Sequence, residues 1–148
     1  MQISINLQQS YGEFLSQFPW DWYCILTFRN NISSRLAFKT FNRWKVRLKK
    51  AANRRIDYAL FIEPTSLRDD IPHLHSLIHG VGEENSYVWE QHWFALAGQA
   101  RIKPYNPELG AVFYLGQKML SDEVSVVFSK NLRNITTERT LLIPKKTR

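Results

Sequence analysis

DYALFIE at residues 57–63, the polar PTSLRDDI at 64–71 and, after Pro72, HLHSLIHG at 73–80 are the stretch on which the fold turns. The outer segments are dense in aliphatic and aromatic residues and read as strands. The middle reads as a hairpin-like loop that joins them antiparallel. Upstream, WYCILTF (22–28) has the β-branched and aromatic content of another strand. A long helix is predicted over about 34–53, because Ala37, Phe41, Trp44, Leu48 and Ala51 recur at steps of 4, 3, 4 and 3. Downstream, Ser86 is placed to cap a helix carrying Trp89, Trp93 and Leu96 on one side. QARIKPY (99–105) reads as a short strand, and EVSVVFS (123–129) as the last one. Between them Asn106 and Pro107 are an N-cap and first-turn pair that starts a helix running to about residue 120. The order β-α-β-β-α-β-α-β predicts the α+β class: an antiparallel sheet of about five strands with helices packed on it.

The chain has 148 residues, room for one core, and reads as a single domain over 1–148 with peripheral segments at 1–18 and 131–148. Apolar residues make up 44% and aromatics 14%, which argues against a disordered chain. No apolar run approaches the ~20 residues of a membrane span. The start, MQISINLQQSYGEF, lacks the basic and apolar blocks of a secretory signal. Cys24 stands alone and is read as a small buried residue, so neither an internal disulfide nor a cysteine zinc site is available. These features predict a soluble protein of a reducing compartment. The net charge of +7 points to a polyanionic partner. Much of the charge lies in one run: Arg35, Lys39, Arg43, Lys45, Arg47, Lys49, Lys50, Arg54 and Arg55, with no acidic residue among them. On the predicted helix these surround the apolar stripe, either as a solvated face or as a nucleic-acid contact. The terminal PKKTR adds a smaller cluster.

Chemistry concentrates on four positions. His73 and His75 are two apart on a strand and so share a face, ~6.5–7 Å apart along the chain. At that spacing their imidazoles can converge on one metal ion, although His-x-His also occurs in simple packing. Antiparallel pairing across the loop brings Glu63 near both, and a carboxylate with two imidazoles suits Mg²⁺ or Mn²⁺. The same set suits catalytic zinc, so ligand type leaves the metal open. Glu63 can equally be a solvated strand end or an ion-pair partner of Arg68. His79 shares the face but lies too far along to join. Tyr114 falls off the apolar stripe Leu109, Val112, Phe113, Gly116 and Leu120 of its predicted helix, and Lys118 follows one turn later. A phenol near a cation is drawn toward phenolate, a nucleophile suited to a phosphodiester. The plain alternative is an exposed tyrosine covering its own helix.

DWYCILTF, ALFIE, PHLHSLIHG and GAVFYLGQK, taken in order and spacing, resemble the motifs of HUH endonucleases, particularly rolling-circle replication initiators. The resemblance spans roughly residues 21–118. It implies a ferredoxin-like (RRM-like) sheet and a nicking–joining enzyme for single-stranded DNA at a replication origin, with or without a hairpin. It implies that Glu63, His73 and His75 hold Mg²⁺ or Mn²⁺. Tyr114 would then attack the scissile phosphate, leaving a 5′-phosphotyrosine and a free 3′-hydroxyl. The setting implied is the cytoplasm of a prokaryotic cell carrying a plasmid or phage-like replicon, with a separate helicase as partner and no membrane. Initiators commonly carry Tyr-x-x-Lys; here Gln117 holds that position and lysine follows at Lys118, so which of the two assists Tyr114 stays open. Single-tyrosine transposases of the same superfamily place a glutamine ligand four residues after the tyrosine. Lys118 occupies that position here, and Glu63 already supplies a ligand, which favours the initiator.

Rival readings are a transposase, a zinc hydrolase using the same triad, and a non-catalytic RRM-like nucleic-acid-binding module. No RNP1-type stretch is present to support the last. Trp20, Trp22, Trp44, Trp89 and Trp93 are read chiefly as core, with FPWDWY (18–23) as the place where a base-stacking tryptophan would sit.

Overall fold

A computed structural model of the chain describes residues 2–63, 72–121 and 123–132. Its elements are α1 (Gln2–Ser16), β1 (Trp22–Leu26), α2 (Ser34–Ala52), β2 (Asp57–Glu63), β3 (His73–His79), α3 (Ser86–Leu96), β4 (Ala100–Pro104), α4 (Ala111–Lys118) and β5 (Ser125–Phe128), with a single 3₁₀ turn at Pro107–Leu109. The strands form one antiparallel sheet in the order β4-β1-β3-β2-β5. Its first four strands have the ferredoxin-like arrangement, and β5 extends the β2 edge.

Strand alternation sends the sheet's side chains to two faces. Trp22, Cys24 and Leu26 of β1, with Leu60, Leu74, Ile78 and Ile102, face α2 and α3. Helix α2 contributes Ala37, Phe41, Trp44 and Leu48, all at most 1% exposed, and starts where the Ser33 hydroxyl accepts from the Leu36 amide at 3.2 Å. After Leu48 the buried side continues at Ala52, one i+4 step on, and the expected Ala51 is exposed. The cap of α3 lies one residue before the expected one: Asn85, not Ser86, accepts from the Tyr87 amide, and Ser86 is the first helical residue. Trp89 and Trp93 lie beneath that helix, as the spacing predicts.

The opposite face carries Ala59, Phe61 and Leu77, and these pack against α1 and α4. Residues 1–18, expected at the periphery, instead supply α1, which buries Tyr11, Phe14 and Leu15 in this second core. Two glycines let α1 and α4 approach closely: a Cβ on Gly116 would stand 2.9 Å from the Gln8 carbonyl oxygen and 2.9 Å from the Gly12 nitrogen. The predicted 107–120 helix is also interrupted. Asn106 and Pro107 open only the 3₁₀ turn, Gly110 at φ +74° breaks it, and α4 starts afresh. The helical phase is reset, so Val112, Leu115 and Met119 form the buried stripe while Leu109 is exposed. Residues 64–71, with Arg68, and the tail beyond residue 132, with PKKTR, lie outside the described residues.

Candidate active site

On the second face α1 and α4 cover Ala59 and Phe61 of β2, Leu77 of β3 and Phe128 of β5. Glu63 pairs with His73 and Phe61 with His75 in the β2–β3 ladder, so Glu63, His73 and His75 share this face. Glu63 reaches past His73: its Oε2 lies 3.1 Å from His75 Nε2. On the other side of that ring, His75 Nδ1 is 3.2 Å from the Tyr23 hydroxyl, delivered by β1. The Tyr23 contact settles which nitrogen points where: Nε2 faces Glu63 and Nδ1 faces the phenol.

Helix α4 closes the group from above. Lys118 donates from Nζ to Glu63 Oε1 at 2.8 Å, and the same ammonium lies 5.2 Å from the centre of the Tyr114 ring. Tyr114 is 44% exposed, and its ring meets that of His75 edge-on at 6.2 Å between centroids. Lysine four residues after tyrosine thus stands beside it on one helix face, whereas Gln117 turns to solvent. Residues 23, 63, 75, 114 and 118 come together from three strands and a helix.

These neighbours set the ionisation of the group. Burial alone would raise the Glu63 carboxyl, but the hydrogen bond and charge of Lys118, then of His75, hold it below its usual value. Burial lowers His75, and the opposing pull of Glu63 does not restore it. Lys118 is raised, mainly by its hydrogen bond to Glu63, with a further contribution from Tyr114. The Tyr23 phenol is pushed up to about 12, first by burial and then by the charges of Tyr114 and Glu63. The resting state is therefore carboxylate, neutral imidazole and ammonium.

The donor set suits a hard divalent cation in part. Glu63 Oε2 and His75 Nε2, joined at 3.1 Å as a hydrogen bond, are an oxygen and a nitrogen donor of the kinds such a cation takes. His73 lies opposite Glu63 on the same face, yet among the described residues no three His, Cys, Asp or Glu side chains converge as a ready-made metal cluster. His79, at the far end of β3, faces Asp21 at 3.4 Å and takes no part.

Comparison with known proteins returns no match. That holds for family models, for curated proteins and for solved structures. The geometry stands by itself.

The basic run lies elsewhere. Arg35, Lys39, Arg43, Lys45, Arg47, Lys49 and Lys50 are on α2, and Arg54 and Arg55 follow its C-cap, Asn53. Helix α2 covers the first face, with the sheet between it and Tyr114. Besides Lys118, two cations on the site's own face are on β4: Arg101 pairs with Ile25 and Lys103 with Tyr23, and both are exposed. They are absent from the candidates read from the sequence; their signal is the alternation Arg101-Ile102-Lys103, in which an apolar residue turned to the core turns both cations to the other face. The same alternation in WYCIL puts Tyr23 opposite Trp22 and Cys24. All five tryptophans are buried, Trp20 and Trp22 at 6% exposure, so FPWDWY offers no tryptophan for stacking on a base. Cys24 is fully buried, and burial pushes its thiol up. Among the described residues no helix is long and apolar enough to cross a membrane.

Proposed function

We propose that this protein nicks and rejoins single-stranded DNA through Tyr114, the reaction by which rolling-circle replication is initiated. One observation carries the reading: an exposed tyrosine, a lysine bridging it to a carboxylate, and that carboxylate on a histidine, assembled from positions 55 residues apart. The Tyr114 oxygen attacks phosphorus, and an O–P bond forms as the bond to the 3′ oxygen breaks. The phenol proton passes to solvent, the leaving oxygen takes one up, and the strand ends as a 5′-phosphotyrosine and a 3′-hydroxyl. Lys118 offsets the charge that develops on the phosphate. Glu63 and His75, with His73 beside them, would hold Mg²⁺ or Mn²⁺. A divalent ion there supplies Lewis-acid polarisation of a phosphate oxygen. Tyr23 keeps Nε2 of His75 directed at that position.

Single-stranded DNA reaching Tyr114 crosses the β1–β4 half of the second face, where Arg101 and Lys103 meet its backbone. The α2 cations, on the reverse side, serve a separate stretch of nucleic acid. Unwinding falls to a helicase partner. Incubation with origin-like single-stranded DNA and Mn²⁺ yields a protein–DNA adduct that survives a denaturing gel. Tyr114→Phe abolishes it, and an undiminished adduct in that variant refutes the nucleophile.

A further inference from the structure

Both oxygens of Glu63 are in use, one facing His75 at 3.1 Å and the other accepting from Lys118 at 2.8 Å. An ion held between Glu63 and His75 would draw on the same carboxylate charge that now binds the ammonium. It would also place two like charges a few ångströms apart, a repulsion that persists even at the high effective dielectric near a protein surface. Lys118 and a divalent ion are thus rivals for one group. A second station for the ammonium exists: it already lies over the Tyr114 ring at 5.2 Å, on a four-carbon stem that can swing between the two. The side chain is about a quarter exposed, so neither position requires repacking of the core.

We propose that Lys118 occupies Glu63 in place of a divalent cation, and that loading the cation displaces its ammonium from Glu63 toward Tyr114. This rests on the metal-centre reading given above. Lys118 is then a positioning residue at Glu63: it keeps the carboxylate ordered before loading, and its ammonium, already over the Tyr114 ring, is left to the nucleophile alone when the ion arrives. Arrival of the cation and release of the ammonium from Glu63 become one event. A lysine that merely fastened α4 to β2 would have the opposite effect, because removing it would loosen Glu63 and weaken the metal.

The sign of that effect is measurable without turnover. Calorimetric titration of the full chain with Mn²⁺, in the absence of DNA, is made on the wild type, Lys118→Gln, Lys118→Arg and His75→Ala. Lys118→Gln is expected to bind Mn²⁺ about fivefold more tightly, the order of effect of removing one partly exposed competing ion pair. Lys118→Arg keeps the charge and stays within about twofold of wild type, and His75→Ala removes the site. Equal or weaker binding by Lys118→Gln, with a His75-dependent site present, overturns the competition and leaves the metal centre standing. Absence of His75-dependent binding in both proteins overturns the two together. A second measurement needs no variant: at Mn²⁺ levels that fill the calorimetric site, acetylation of Lys118 by acetic anhydride, read by peptide mass spectrometry, rises severalfold. Lys45, on the reverse face, serves as the reference. An unchanged Lys118 rate overturns the displacement.

Discussion

Replacing Gly116 by alanine tests whether α1 holds the tyrosine helix in place. The added Cβ would lie 2.9 Å from the Gln8 carbonyl oxygen, 2.9 Å from the Gly12 nitrogen and 3.3 Å from Tyr11 Cβ. Ordinary contacts of these kinds begin near ~3.4 Å, and two of the three atoms are helix backbone that cannot rotate away, so the helices must part by about half an ångström. The interface they share includes Tyr11, Phe14, Leu15, Val112 and Leu115, all buried, and overpacking such a core costs ~1–3 kcal/mol. Alanine's better helix propensity returns up to ~1 kcal/mol. The clash wins by about 1–2 kcal/mol, which for a chain near 150 residues lowers the melting temperature by roughly 2–8 °C. Displacement of α4 moves Tyr114 and Lys118 together relative to Glu63, so adduct yield falls more than stability alone would dictate. Thermal melting followed by circular dichroism, with the adduct gel at a temperature where both proteins are folded, measures the two effects. A Gly116→Ala protein as stable as wild type refutes the close-packing argument. Normal adduct yield in a destabilised variant refutes the link from α1 to the site.

Tyr23→Phe removes only the hydroxyl on His75 Nδ1. It should cost about 1 kcal/mol of stability by melting, yet tenfold or more in Mn²⁺ affinity, because the partner that fixes a ligand's orientation is lost. In metal-free protein, kept so with EDTA, His75 titrates below its usual 6.5 and Glu63 below its usual 4.5. Their stabilising shares are present above those two values and are lost as pH falls through the lowered folded-state values. The melting temperature therefore holds above pH ~6.5 and declines below it in two stages, and His75→Ala removes the upper stage. Neutralising Arg101 and Lys103 together as glutamines should weaken binding of a short single strand and flatten its log-affinity against log-salt slope by about 1.4, measured by fluorescence anisotropy. The same change at Arg43 and Arg47 on α2 leaves that slope as it is; equal effects from the two faces would refute the placement of the strand.

Much of the fold was legible because it rests on local periodicity. Ala37, Phe41, Trp44 and Leu48 announce α2 at helical spacing, and the dense apolar runs of 57–63 and 73–79 announce β2 and β3. Helix α1 has the same kind of stripe, Leu7, Tyr11, Phe14 and Leu15, but a lone terminal helix shows its worth only through what it covers. The interruption at Gly110 was hidden for a related reason. A glycine among helix formers is compatible with continuing the helix, and the break shows only in the folded backbone, as Gly110 at φ +74° with Val112 and Leu115 buried beyond it.

The chain alone determined the inventory of the candidate site: the carboxylate at the end of a strand, the paired histidines, and a tyrosine with a lysine one helical turn on. Side-chain identity and short-range spacing contain that much, since β2 and β3 are adjacent and Tyr114 and Lys118 share a helix face. Tertiary structure decided how these groups are joined. It put Lys118 rather than His73 on Glu63, brought Tyr23 to the far nitrogen of His75, and left the basic helix behind the sheet with Arg101 and Lys103 in front. Those relations depend on which face of the sheet each helix covers, and a helix's charge pattern is the same whichever face it packs on.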